Sequence, residues 1–135
     1  MGLALSTGID HVTITSTVFQ ASRDFYDLVM SAAGLASNVD HVDPEQDERD
    51  ADSVAAPGYG DPVRVLLVAG RVPTTGAHVA LRVSGRRQVQ QAYQAAVGAD
   101  VRVVQAPREW EAAQLGYYGI QIADPAGNLI EILSR

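Results

Sequence analysis

The chain has 135 residues, 47% of them hydrophobic, and 16 acidic against 10 basic side chains give a net charge of −6. That length suits one compact unit, or two small modules fused around shared surface, and the negative balance argues against a nucleic-acid partner, whose phosphates need a basic face. Cysteine and lysine are both absent, so disulfides, thiolate nucleophiles, zinc–thiolate sites, Schiff-base chemistry and a P-loop are excluded.

Taken in chain order, residues 1–6 lack the basic region of a signal peptide, and no apolar run approaches a membrane span. The expectation is a cytoplasmic protein. Gly2 and Ser6 fit the loose N-myristoylation pattern, which is short enough to arise by chance. Residues 9–15 alternate β-branched and polar types and read as a strand. Residues 18–33 read as a helix with Ala21, Phe25, Leu28, Val29 and Ala32 on its apolar face. Thr17 and Gln20 have capping-box spacing, and Gly34 stands where a helix would end. A strand is expected over residues 36–42, then an acidic loop. Seven carboxylates and one arginine lie between Asp40 and Asp52, and His41 reads as surface. No candidate first aspartate has a glycine at the sixth position of an EF-hand loop. Residues 62–69 form a nearly continuous apolar run, read as a buried strand.

The pattern then restarts. Residues 78–83 read as a strand, and Ser84 can cap a helix carrying Val89, Ala92, Tyr93, Ala96 and Val97, with Gly98 at its end. A strand follows at 101–105, then a loop or short helix at 107–114. Residues 119–123 and 129–133 read as a hairpin joined by Asp124-Pro125-Ala126-Gly127-Asn128. The offset of 67 residues that separates His11 from His78 also separates Tyr26 from Tyr93, and the element order repeats with it. This predicts a duplicated β-α-β-β-β unit, with modules at about 7–70 and 76–135.

Strand periodicity sorts the polar residues. His11 and Thr13 share one face of the first strand, opposite Val12 and Ile14; His78 and Arg82 lie opposite Val79 and Leu81; Glu131 lies opposite Ile130 and Ile132. A single strand histidine is a ligand only about one time in ten, and a glutamate near a C-terminus is ordinarily solvated surface. The case rests on the equivalent placement of both histidines, with a carboxylate on the last strand. Two imidazoles and one carboxylate suit Fe(II), Mn(II), Zn(II), Ni(II) or Co(II).

The stretches Ile9-Asp10-His11-Val12, Ala21-Ser22-Arg23-Asp24-Phe25-Tyr26, Ala77-His78-Val79-Ala80-Leu81 and Asp124-Pro125-Ala126-Gly127-Asn128-Leu129-Ile130-Glu131 resemble vicinal-oxygen-chelate proteins, the glyoxalase, bleomycin-resistance and extradiol dioxygenase group. The resemblance implies an α+β fold of two tandem β-α-β-β-β modules, whose curved mixed sheets enclose a concave metal and ligand site. It maps the metal ligands onto His11, His78 and Glu131. It also implies a small-molecule substrate and a homodimer, in which related chains often complete their sites. The fourth ligand of glyoxalase I, a glutamate or glutamine, has no counterpart, because residues 62–69 offer only Arg64 as a polar side chain. An additional histidine of the extradiol dioxygenases is matched by none but His41. The strongly basic pocket of the fosfomycin thiol transferases could draw only on Arg64, Arg82 and Arg102. Gly116-Tyr117-Tyr118-Gly119 resembles an uncharacterised branch. The expected site thus has Glu131 and Tyr118 in catalytic roles and Arg82, Arg64, Thr13 and Tyr117 as substrate contacts. The alternative is a metal-free, drug-sequestering dimer like the bleomycin-resistance proteins, to which the negative charge is suited.

Overall fold

Alternating valine, isoleucine and threonine build β1 (Val12–Ser16) in a computed structural model that describes residues 8–35, 41–42, 55–110 and 116–135. Ile14 and Ser16 are buried while Thr13 is exposed, the two-sided pattern expected of a strand with one covered face. β1 begins three residues later than its sequence signal, so His11 stands just ahead of it.

Helix α1 (Phe19–Ala32) follows. The Thr17–Gln20 capping box does not form: the helix start has no side-chain cap, and Gln20 donates to Asp24 instead. Ser16 Oγ accepts from Val18 N–H at 3.0 Å and meets Ser22 Oγ at 2.7 Å, which ties the helix to the end of β1. The buried stripe is Ser22, Phe25, Tyr26, Val29 and Met30, with Leu28 at 39% exposure. It is rotated from the expected face because two polar residues, Ser22 and Tyr26, bury with their hydroxyls satisfied. Gly34, at φ +79°, closes the helix with Leu35 N–H donating to Met30 C=O.

The strand expected at 36–42 is described only as β2 (His41–Val42), which pairs antiparallel with β3 (Ala55–Ala56), so the His41 backbone is in a strand rather than a loop. The remainder of that strand and of the acidic segment lies outside the described residues. β4 (Gly58–Tyr59) turns into β5 (Val65–Ala69) through residues that include Arg64, and this turn replaces the first half of the expected 62–69 strand.

In the second half, β6 (His78–Arg82) leads to α2 (Arg86–Gly98). Gly85, not Ser84, occupies the helix N-cap, without a side-chain cap. Val89, Ala92 and Ala96 bury, and Val97 is exposed. β7 (Val103–Glu109) runs through the first part of the segment expected as a loop or short helix at 107–114, with bulges on either side of Gln105; residues 111–114 of that segment lie outside the described residues. β8 (Tyr118–Ala123) and β9 (Leu129–Ser134) form the expected hairpin.

The sheets are open and mixed: β1-β5-β4 in one, β6-β9-β8-β7 in the other, with no closed barrel. β1 pairs parallel with β5 and β6 parallel with β9, so the first and last long strands of each half stand side by side. α1 packs against α2 and β5, and α2 against β7, β8 and β9. One core joins Tyr26, Val29, Met30 and Leu67 to Val89, Ile120, Ile122, Ile130 and Ile132. Each such fully buried aliphatic contributes about 1.5–3 kcal/mol. No helix among the described residues packs on the opposite face of the second sheet. Among the described residues no helix is long and apolar enough to cross a membrane.

Candidate functional site

Register across the second sheet fixes what shares its free face. Ala80 stands beside Glu131, and Glu131 beside Gln121; one step along, Arg82, Leu133 and Gly119 stand in line; one step back are His78, Leu129 and Ala123. His78, Glu131 and Arg82 therefore lie on one face, as parity requires.

Glu131 is 3% exposed, and its Oε1 lies 2.8 Å from His78 Nε2. Gln121 Nε2–H donates to the same oxygen at 3.3 Å. A carboxylate this deeply buried needs such donors, since desolvation of an unpaired charge is prohibitive. Gln121 was not among the expected site residues. The signal was present: a hairpin about residues 124–128 sets it opposite Glu131.

His11 sits apart from that pair. Its Nδ1 lies 2.8 Å from Asp10 Oδ1. This hydrogen bond, then the imidazole's charge and the nearby Arg64, hold the Asp10 carboxyl below its usual range. An ionised Asp10 orients the ring through Nδ1 and leaves Nε2 available. Among the described residues no three histidine, aspartate or glutamate side chains gather where they could hold a metal. One copy of the chain thus unites two of the three expected ligands.

The substrate contacts divide. Arg64 and Arg82 line one cavity of about 750 Å³ between the two sheets, together with Asp10, Tyr59 and His78. Arg64 Nη1 donates to Asp10 C=O at 3.1 Å. Thr13 is exposed on the outer face of β1. Tyr117 is buried and stacks on Trp110, ring centroids 5.6 Å apart.

Tyr118 is the clear departure from expectation. It lies three residues from Gln121, hence on the helix side of the sheet. There Arg86 sits over its ring at 4.7 Å and Gln90 Nε2–H donates to its hydroxyl at 3.4 Å. Strand alternation turns it away from Glu131, and it is not positioned for catalysis at that carboxylate.

The turn between β8 and β9 explains why these strands are placed so firmly. Asp124 accepts from the backbone N–H groups of Ala126 and Asn128, from Asn128 Nδ2, and from Tyr26 Oη–H at 2.6 Å. Asn128 Oδ1 in turn accepts from Ala77 N–H and Asn128 Nδ2 donates to Thr74 C=O, fixing the residue just before His78. Burial, then the hydrogen bond to Asp124, push the Tyr26 hydroxyl far above the ordinary tyrosine range.

Comparison with known proteins agrees with this architecture. The model of the glyoxalase/bleomycin resistance protein/dioxygenase superfamily matches residues 8–132, and the chain belongs to that superfamily. No curated protein matches it. Among solved structures, it resembles a glyoxalase/bleomycin resistance protein from Albidiferax ferrireducens T118, with TM-score 0.66, 17% identity, and coverage of 93% of this chain and 97% of the other. It also resembles lactoylglutathione lyase from Agrobacterium tumefaciens, with TM-score 0.61, 16% identity, and 97% and 96% coverage. The fosfomycin resistance protein FosX from Listeria monocytogenes gives TM-score 0.63 at 13% identity, with 97% and 95% coverage. At these identities the likeness is one of fold.

Proposed function

Starting from that membership, we propose that the chain is a divalent-metal-dependent enzyme acting on a small substrate with two neighbouring oxygens, as a lyase, isomerase or oxygenase. The observation that carries this reading is the His78–Glu131 pair, a buried carboxylate 2.8 Å from an imidazole on the helix-free face. The donor chemistry fits: with His11 from a second copy, two imidazole nitrogens and a carboxylate oxygen suit Fe, Mn, Zn, Ni or Co as the divalent ion. This reading requires a homodimer: among the described residues of one copy, His78 and Glu131 come together without His11. The superfamily match over residues 8–132 supports reading the chain as a single domain.

A divalent ion bound there supplies Lewis acidity towards the substrate's oxygens. The chain's own groups do the rest. Asp10 fixes the His11 ring through Nδ1, and Gln121 holds Glu131 Oε1 in place. Glu131 is the group that accepts and returns a proton. Arg64 and Arg82, which line the cavity, orient an anionic part of the substrate.

The test is calorimetry with each of the five metals under anaerobic conditions. Binding by the wild-type protein, lost in His78→Ala, is expected; no binding of any metal overturns the reading. Mixing His11→Ala with His78→Ala copies restores one intact site per heterodimer if the ligands come from two chains.

A second reading, metal-free sequestration of a cationic drug, is favoured by the net charge of −6. Tight bleomycin binding by chelator-treated protein, unchanged in His78→Ala, would select it.

A further inference from the structure

The 750 Å³ cavity between the sheets falls within the usual range for small-molecule sites and has three chemically distinct walls. One is cationic. Arg82 has no hydrogen-bond or ion-pair partner among the described residues, and Arg64 donates to the main-chain carbonyls of Ile9 and Asp10, with the Asp10 carboxylate nearby. Asp10 also lines the cavity, but its carboxylate is engaged by His11. In a chain with a surplus of acids, two arginines against one carboxylate leave this wall net positive, which favours an anion.

The second wall is apolar, formed by Val12, Met30, Leu35, Val79 and Leu81. The third is the open edge of β6. All five residues His78–Arg82 line the cavity, odd and even alike, so it meets the strand from the side and not from one face. Leu129 N–H donates to Ala77 C=O and Val83 N–H to Leu133 C=O. By alternation Val79 and Leu81 direct their amides to β9, and His78, Ala80 and Arg82 direct theirs outward. β6 ends its sheet, and no backbone partner on that side occurs among the described residues.

We propose that this cavity binds a small N-acylated apolar amino acid, or a compound of the same build. Its carboxylate is held by Arg64 and Arg82, its amide lies along the β6 edge, and its side chain rests on the apolar floor. An extended amide satisfies edge N–H and C=O groups as an added strand does, and the carboxylate and side chain supply specificity. The proposal rests on the small-molecule reading above for its place beside His78, and it does not require the metal.

The experiment uses the full chain treated with chelator and titrated with N-acetyl-L-leucine, followed by calorimetry and by ¹H–¹⁵N spectra. Saturable binding is expected, with the largest amide shifts at Ala80 and Arg82. N-acetyl-L-leucinamide, which lacks the carboxylate, and 4-methylpentanoate, which lacks the amide, should each bind at least about tenfold more weakly. Arg82→Gln, an exposed position, should weaken N-acetyl-L-leucine by a similar factor and leave the carboxamide unchanged; Arg64→Gln is the second variant. Equal affinity for acid and carboxamide, shifts confined to residues away from β6, or no saturable binding at millimolar concentration overturns the proposal. Metal binding is measured on separate samples, so failure of the metal reading and failure of this one remain distinguishable.

Discussion

The hydroxyl of Tyr26 donates to Asp124 Oδ2 at 2.6 Å, joining the first helix to the last turn across 98 residues of chain. Asp124 is also the hub of that turn, so a single buried carboxylate shapes the β8–β9 hairpin and fastens it to the other half. Tyr26→Phe should destabilise the protein by about 1–3 kcal/mol, the cost of withdrawing a donor from a buried charged acceptor. Urea unfolding measures it directly.

The same residue gives a pH dependence. Its folded-state pKa is raised, so the unfolded chain ionises this hydroxyl first and stability falls as pH rises above about 10. Stability is fully present below that value. The informative quantity is the difference between wild-type and Tyr26→Phe slopes, expected to be up to about 1.4 kcal/mol per pH unit. Parallel slopes between pH 10 and 11 would contradict it.

Asn128 is fully buried and bonds to Thr74, Ala77 and Asp124. Asn128→Ala should cost about 3 kcal/mol through several lost hydrogen bonds. Because Ala77 precedes His78, metal affinity should also fall; an unaltered affinity in the folded variant would show that β6 holds its place without this tether.

Gly119 does not have the positive φ that favours glycine, yet an added Cβ would lie 2.9 Å from Ile132 O and 3.1 Å from Leu133 Cβ. Gly119→Ala must push β8 from β9, at a cost of about 1–3 kcal/mol. A melting temperature equal to that of the wild type would mean that the hairpin yields without strain.

Glu131→Gln separates binding from stability. Its amide keeps the shape and removes a buried charge, so metal-free stability should be unchanged or raised, while metal affinity falls at least about tenfold. Thermal unfolding with chelator, beside calorimetry with metal, reads both.

Much of this was legible in the chain because strand alternation is unforgiving. The sharing of one face by His78, Arg82 and Glu131 followed from parity, whereas the register that brings Gln121 to Glu131 depends on where the 124–128 turn is centred and was not read. Parity applied equally to Tyr118 would have turned it towards α2. The α1 face was less legible, since Ser22 and Tyr26 bury through hydrogen bonds that apolar periodicity does not register. The β4–β5 turn was hidden inside an apolar run. The separation of His11 from His78 depends on how two sheets are set against each other, and no spacing within either half encodes that.

The pairing of β6 with β9 has a consequence for the newly made protein. His78 and Glu131 are 53 residues apart, and β9, which carries the carboxylate, is made only after β6, α2, β7 and β8. Until then the histidine strand has neither neighbour nor carboxylate, and parallel pairing over such a distance is intrinsically slow. The His78–Glu131 pair therefore cannot form in the nascent chain before β9 has been made, so any ligand of that pair is recognised only by a chain whose second sheet has already assembled.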